Sequence, residues 1–265
     1  MTPTHLPSLS KNKKSQLRKL SQKRQRYKSG IYCVEGQRAV QNYLEHQPEH
    51  ISYIVISEEW PFGTSLFNAF EDRIYYLEET EFMELTDTDS PQGIMAVCRM
   101  DEFLKPAELA SGSGTIIAMD RISDPGNMGT MIRTAAWFGV EGMVLSPDCV
   151  DIYNPKVIRS SAGCLAQLKY TQSELYSFIE EAKSNDRPVM ALELNEEAQP
   201  IKDLDSGDRE DPVIIVGNEA HGLDQSLLSL PVKPVYIPSP SAKADKVESL
   251  NAAQALTIAL YEVNR

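Results

Sequence analysis

The sequence predicts an α/β protein in two parts, a small N-terminal α/β domain and a larger C-terminal domain built on a parallel sheet. Three observations predict it. From residue 115 onward, apolar runs of strand length alternate with stretches whose apolar residues recur at helical spacing, the pattern of strand–helix–strand crossovers. Before residue 100, shorter strands and helices alternate as well. Between the two, Pro106 and the run Ser111-Gly112-Ser113-Gly114 mark a change of composition. The expected divisions are 1–105 for the front domain, 106–114 for a linker and 115–265 for the second domain.

Taken in order, residues 1–10 hold Pro3 and Pro7 with no periodicity and are expected to be disordered. A helix rich in Lys, Arg and Gln is expected over 12–28, broken by Gly30. Ile31, Tyr32, Cys33 and Val34 read as a short strand, and Glu35-Gly36 turns the chain into a helix with Val40 and Leu44 on one side. Further strands are expected at 51–56, 73–77 and 93–98, with a short acidic helix at 78–85. In the second domain strands are expected at 115–119, 142–146, 188–193, 212–217 and 234–237, with a shorter one near 167–170. Helices are expected at 128–138, 155–162, 173–184, 223–229 and 249–263. The stretch 196–211 carries seven Asp/Glu and reads as a solvated surface loop.

Composition bounds the function. The chain has 265 residues, 42% of them hydrophobic, enough for packed cores. No apolar run is long enough to span a membrane. Cys33, Cys98, Cys149 and Cys164 are scattered, which favours reduced thiols in a cytoplasm over a disulfide framework. The four histidines are dispersed too, and no metal site is expected. The net charge of −12 argues against a general nucleic-acid binder, but its distribution is uneven. Residues 1–30 carry nine Lys/Arg and no Asp/Glu, which leaves −21 on the remainder. A basic arm on an acidic body can meet phosphates, and Lys11, Lys13, Lys14, Arg18, Lys19, Lys23, Arg24 and Arg26 are the candidate RNA contacts. An ordinary solvated helix is the alternative.

The candidate site centres on 120–139. There a strand runs into the turn Asp124-Pro125-Gly126-Asn127 and then a helix whose Met128, Met131, Ile132, Ala135 and Ala136 form one apolar stripe. Arg133 lies off that stripe, and Asn127 is placed to cap the helix. Two further strands end in polar turns: 214–216 leads into Gly217-Asn218-Glu219, and 235–237 leads into Pro238, with Ser249-Leu250-Asn251 following. Neither a dinucleotide-binding glycine fingerprint nor a P-loop is present.

The ordered set Asn127/Gly129/Arg133, Gly217/Asn218/Glu219, and Ile237/Pro238 with Ser249/Leu250/Asn251 resembles the motifs of the SpoU (TrmH-type) RNA ribose 2′-O-methyltransferases of the SPOUT superfamily. The motif-bearing resemblance covers roughly the last three-fifths of the chain. The front is similar to that family's substrate-binding domain, though less specifically. The resemblance implies a trefoil knot in the C-terminal domain and S-adenosylmethionine (SAM) as cofactor. It also implies a homodimer and 2′-O-methylation of RNA, ribosomal RNA first and tRNA as the alternative. A catalytically silent RNA-binding or ribosome-assembly protein of the same fold is the other alternative. It assigns Asn127, Arg133, Glu219, Ser249 and Asn251 to catalysis and Val216, Gly217, Asn218, Ile237, Pro238 and Leu250 to the cofactor. From the residues alone, Ser249 is equally an N-cap of the last helix. Two departures stand out: Ala220 occupies a position where the family usually has Gly, and the segment 238–249 is longer than usual, lacks Gly, and carries Lys243, Asp245 and Lys246.

Overall fold

The computed structural model describes residues 6–61, 64–86, 88, 90–239 and 249–265. Lys243, Asp245 and Lys246 therefore lie outside the described residues. The chain divides into two compact units, Met1–Asp101 with Asp151–Gln167, and Glu102–Val150 with Leu168–Arg265.

The elements run α1 (Lys11–Arg18), α2 (Lys23–Ser29), β1 (Ile31–Glu35), α3 (Gln37–His46), β2 (Ile51–Ser57), β3 (Ile74–Leu77), α4 (Glu79–Met83) and β4 (Ile94–Arg99). Then follow α5 (Pro106–Ala110), β5 (Ile116–Met119), α6 (Pro125–Trp137), β6 (Gly142–Leu145), α7 (Pro155–Ser160), β7 (Lys169–Gln172), α8 (Leu175–Ser184) and β8 (Val189–Leu192). The last are β9 (Gln199–Pro200), β10 (Val213–Val216), α9 (Gln225–Leu228), β11 (Lys233–Tyr236) and α10 (Ala252–Val263).

The first unit holds a mixed sheet in the order β1-β4-β2-β3, with β4 antiparallel to both neighbours and β2 parallel to β3. Residues 6–10 are more ordered than expected, and residues 1–5 lie outside the described residues. Ser8 bridges to Tyr76, the Tyr76 N–H donates to Pro7 O, and Leu9 is buried, because this short stretch covers the otherwise open edge of β3. The single helix expected over 12–28 is two. The chain breaks at 19–22, where Leu20 turns into the core and Arg26 Nη1 donates to the freed carbonyls of Leu20 (2.6 Å) and Ser21 (2.9 Å). Arg26 thereby leaves the candidate RNA contacts. It is 2% exposed and ion-paired with buried Asp151, whose other oxygen accepts from Tyr27 Oη at 3.0 Å.

Helix α7, expected in the second domain, belongs to the first unit. Asp151 pairs with Arg26, the Tyr153 ring meets Tyr32 at 4.6 Å between centroids, and Gly163 lies against α3. A Cβ at Gly163 (φ +80°) would lie 2.6 Å from Ala39 O, so only glycine permits this approach.

The second unit is a seven-stranded parallel sheet in the order β7-β6-β5-β10-β8-β11-β9. Its central strands are apolar throughout because both faces are covered. On one face Ile116, Ala118, Val213 and Ile215 pack with Leu109, Phe178, Ile179 and Leu227 of α5, α8 and α9. The alternate residues Ile117, Met119, Ile214 and Val216 are equally buried, as are Met128, Met131, Ile132 and Ala135 of α6 and Leu256, Ala259 and Leu260 of α10. Helices α6 and α10 pack against each other. The stretch 106–114 contains α5, whose Leu109 and Ala110 sit in this core. The acidic loop is also less open than expected. It supplies β9 as an edge strand, buries Ile201 and Leu204, and is pinned where Arg209 donates to Leu204 O and to Glu262 O.

Breaking the Arg26–Asp151 pair strands a buried charge. Asp151→Ala is therefore expected to lower unfolding stability by about 3–5 kcal/mol. The double change Arg26→Met with Asp151→Leu should lose far less, as urea titrations of both variants would show.

Candidate active site

The site forms at the C-terminal edge of the parallel sheet, where β5 and β10 lie side by side. The chain leaves β5 toward β6 and β7 on one side, and β10 and β8 lie on the other, so a crevice opens between the strand ends. A buried carboxylate organises it. Asp120, directly after β5, accepts two hydrogen bonds from Arg121, from Nε at 3.0 Å and Nη2 at 2.9 Å. Asp120 Oδ2 also accepts the Asp224 N–H at 2.8 Å. Arg121 stands in the left-handed region at φ 54°, a strained conformation for a non-glycine residue. Its N–H donates to Ser146 Oγ at 2.9 Å and its carbonyl accepts from Asn218 Nδ2 at 2.8 Å. Hydrogen bonding to Asp120 raises the Arg121 pKa, against a smaller opposing effect of burial. Hydrogen bonds from the Ser226 hydroxyl and N–H hold Asp224 below its ordinary value. Asp120 and Arg121 lie inside the stretch that the sequence singles out but were given no role in the site. A charged pair directly after an apolar strand was the available signal.

The loop after β10 is tight. Asn218 and Gly222 form a bridge, and Asn218 Oδ1 accepts the N–H groups of Ala220 (2.9 Å) and His221 (3.2 Å). A Cβ on Gly217 would lie 2.8 Å from the Gly222 carbonyl carbon, so this glycine is required by a close backbone approach. Ala220 is not among the residues with positive φ, so its place in the loop does not demand glycine.

Three side chains from the three motifs then converge. Asn127 Nδ2 donates to Glu219 Oε1, Asn251 Nδ2 donates to the same oxygen at 3.2 Å, and it also approaches Asn127 Oδ1 at 3.0 Å. The capping roles differ from those expected. The N-cap of α6 is Asp124, whose Oδ1 accepts the Asn127 N–H at 2.8 Å, which frees the Asn127 side chain for Glu219. The N-cap of α10 is Asn251, whose Oδ1 accepts the N–H groups of Ala253 and Gln254, while Ser249 stands exposed ahead of the helix. Arg133 is exposed as expected and is not joined to this cluster. It lies six residues beyond Asn127 on α6, roughly 9 Å along the axis and about 120° around it. Among the described residues no carboxylate pairs with Arg133.

The chain matches the model of the SpoU rRNA Methylase family over residues 114–261. It belongs to that family. Residues 11–96 match the MRM3-like substrate binding domain. The chain is 31% identical over 246 residues to the 23S rRNA (guanosine(2553)-2′-O)-methyltransferase RlmP of Bacillus subtilis (strain 168), covering 93% of each. It is 27% identical to the 23S rRNA (uridine(2479)-2′-O)-methyltransferase of Streptomyces viridochromogenes, covering 93% of this chain and 86% of that one. The AdoMet-bound rRNA methyltransferase structure from Sinorhizobium meliloti superimposes with a TM-score of 0.84 at 24% identity, covering 98% of this chain and 97% of that one, a likeness of fold.

The residues at the strand ends fit SAM. Ile237 and Pro238 continue past the last ladder pair of β11, where backbone groups are no longer used by the sheet, and both are half-buried. Leu250 presents a large apolar side chain that is 46% exposed, a wall for a flat adenine. Gly217 lets the backbone approach closely, and neither Lys nor Arg would oppose a sulfonium among these residues. Gly217→Ala forces its Cβ into Gly222 and is expected to cost about 1–3 kcal/mol of stability. Urea denaturation checks this, and a wild-type midpoint would contradict the close approach.

Proposed function

We infer that this protein methylates a ribose 2′-hydroxyl of ribosomal RNA, with SAM as methyl donor. The observation that carries the reading is the convergence of Asn127, Glu219 and Asn251, three motifs far apart in sequence, on one hydrogen-bonded cluster at the sheet's C-terminal edge. The choice of ribosomal RNA is supported by the names of the two 23S rRNA 2′-O-methyltransferases to which the chain is similar over most of its length.

SAM supplies an electrophilic methyl group on a sulfonium. The chain's part is positioning: the acceptor oxygen must lie in line with that carbon. Val216, Gly217, Asn218, Ile237, Pro238 and Leu250 hold the cofactor. Glu219 gathers the amides of Asn127 and Asn251 into a fixed wall for the ribose, and Ser249 adds a hydroxyl beside it. Arg133 clamps a substrate phosphate and polarises the 2′-hydroxyl. A guanidinium keeps its charge at ordinary pH and is a poor base, so Arg133 orients the hydroxyl, and the proton released as the oxygen takes the methyl group passes to solvent water.

The C-terminal segment threads a trefoil knot. This is supported by the return of the chain after β11 to lay α10 against α6, with Asn251 reaching both earlier motif loops. The protein acts as a homodimer through α6 and α10. Trp137 is 84% exposed and Tyr261 57% exposed, and each lies one turn beyond the Thr134–Thr257 contact that joins the helices. Residues 1–105 bind RNA together with 151–167, which pack in the same unit, and the remainder of 115–265 carries the transferase. Lys11, Lys19, Lys23 and Arg24 are exposed on the basic arm and suit phosphates. Lys13 is engaged over the rings of Tyr53 and Tyr75, and Lys14 and Arg18 pair with Glu81 and Glu84, so their share in RNA contact is smaller. The cytoplasm is its compartment, consistent with four cysteines that form no disulfide, and no described helix is long and apolar enough to cross a membrane.

Labelled methyl transfer from SAM to unmodified rRNA tests the reaction. Wild type is expected to form nuclease-resistant 2′-O-methyl dinucleotides. Arg133→Ala should lose on the order of 100-fold or more in rate with SAM affinity retained; equal labelling by both would remove Arg133 from catalysis. Trp137→Glu is expected to sediment as a monomer, and an unchanged dimer would move the interface elsewhere.

A further inference from the structure

A second cavity lies wholly within the first unit. Its volume is about 300 Å³, the lower end of the range for ligand sites. Arg38 and Arg159 line it, with Thr86, Thr88 and Ser90 on one wall and Phe82 and Ile94 on another. Glu35 is the one acidic residue among its described lining, and Asp87 and Asp89 lie outside the described residues.

Two observations point to an anion. Arg159 Nη1 and Thr88 Oγ1 are buried and have no hydrogen-bond partner among the described residues. Buried polar groups are ordinarily satisfied, so an orphaned guanidinium N–H and an orphaned hydroxyl on residues lining one cavity mark a place where an acceptor is missing. The cavity also sits at the start of the ten-residue α3, which has no acidic residue in its first turn and no side-chain cap on its own N-cap, Gly36. Among the described residues the Gln37 N–H is taken by Gln92 Oε1 at 2.8 Å, and the partial positive charge of the remaining N–H groups at that end faces the cavity beside Glu35. The wall itself is anchored. Ala162, which lines the cavity, has φ 52°, its carbonyl accepts from Asn42 Nδ2 at 2.9 Å, and Gly163 is wedged against Ala39. That anchoring fixes α7, and with it Arg159, over the start of α3.

We propose that this cavity binds a backbone phosphate of the substrate RNA, held by Arg38, Arg159 and Thr88, with the adjoining nucleoside against Phe82 and Ile94. The site shares no residue with the basic arm or with the Asn127–Glu219–Asn251 cluster, and the choice of RNA rests on the function proposed above. The phosphate accepts from Arg159 Nη1 and the Thr88 hydroxyl, and exposed Arg38 closes the open side. Binding is positional: it sets where the strand is gripped while another part of it reaches the ribose site.

The test compares wild type, Arg38→Ala and Arg159→Ala, all full-length, for affinity toward an unmodified rRNA fragment at several salt concentrations. Each variant is expected to bind roughly tenfold more weakly. The slope of log affinity against log salt should be shallower by about 0.7 for each phosphate charge that is no longer neutralised. SAM affinity should be unchanged. Because Arg38 is exposed, its variant reports even if Arg159→Ala is unstable. Wild-type affinity and slope in Arg38→Ala and in folded Arg159→Ala would overturn the site while leaving the methyltransferase reading intact. Pocket-dependent RNA binding without methyl transfer by wild type would do the reverse. Inorganic phosphate is the third arm: if it raises the melting temperature of wild type and not of Arg159→Ala, while RNA affinity is equal in both, the ligand is a free anion and the RNA assignment falls.

Discussion

The candidate active site depends on one buried carboxylate. Asp120 sits at the end of β5 where the sheet stops supplying partners, and it satisfies Arg121 and the Asp224 N–H together. Arg121 in turn offers its carbonyl to Asn218. The loop after β5 and the loop after β10 are thereby one hydrogen-bonded body, anchored in the sheet at neighbouring strands. Glu219 is presented from the second loop and Asn127 from the helix that follows the first, so the distance between them follows from the Asp120 connections. Side chains built on strand ends in this way keep their positions more closely than those on free loops.

Much of this was legible from the sequence. The parallel sheet followed from the alternation of apolar strands and helical stripes, and the stripe of α6 is buried as read, with Arg133 exposed. The three motifs were visible as strand ends. What was hidden was pairing across long separations. Arg26 counts as one more basic residue in a basic arm until Asp151, 125 residues on, is placed beside it. The same pairing takes 151–167 out of the sheet unit and into the first unit. The caps were displaced for a local reason: Asp124 and Asn127 are both good capping residues, and Pro125 at the first helical position favours the earlier one.

The first unit shows how a polar interior can specify an arrangement. Tyr32 donates to Tyr43 Oη at 2.9 Å, the Tyr153 ring packs at a tilt against Tyr32, and the Tyr153 hydroxyl accepts the Asp101 N–H. Burial pushes the Tyr43 phenol well above its ordinary range, so it remains a neutral partner. Together with Arg26 and Asp151 these groups satisfy one another. Such a network adds little net stability over an apolar core, but it penalises any other placement of 151–167.

Asn251 does two things with one amide. Its oxygen starts α10, and its nitrogen reaches Asn127 and Glu219. The two faces of a single side chain therefore tie helix initiation to completion of the cluster. Asn251 is also translated 124 residues after Asn127. A nascent chain that has already folded β5, α6 and the loop bearing Glu219 still lacks its third amide. The cluster closes when α10 begins, so a partly made enzyme emerging from the ribosome lacks a finished site among the ribosomal RNA that surrounds it.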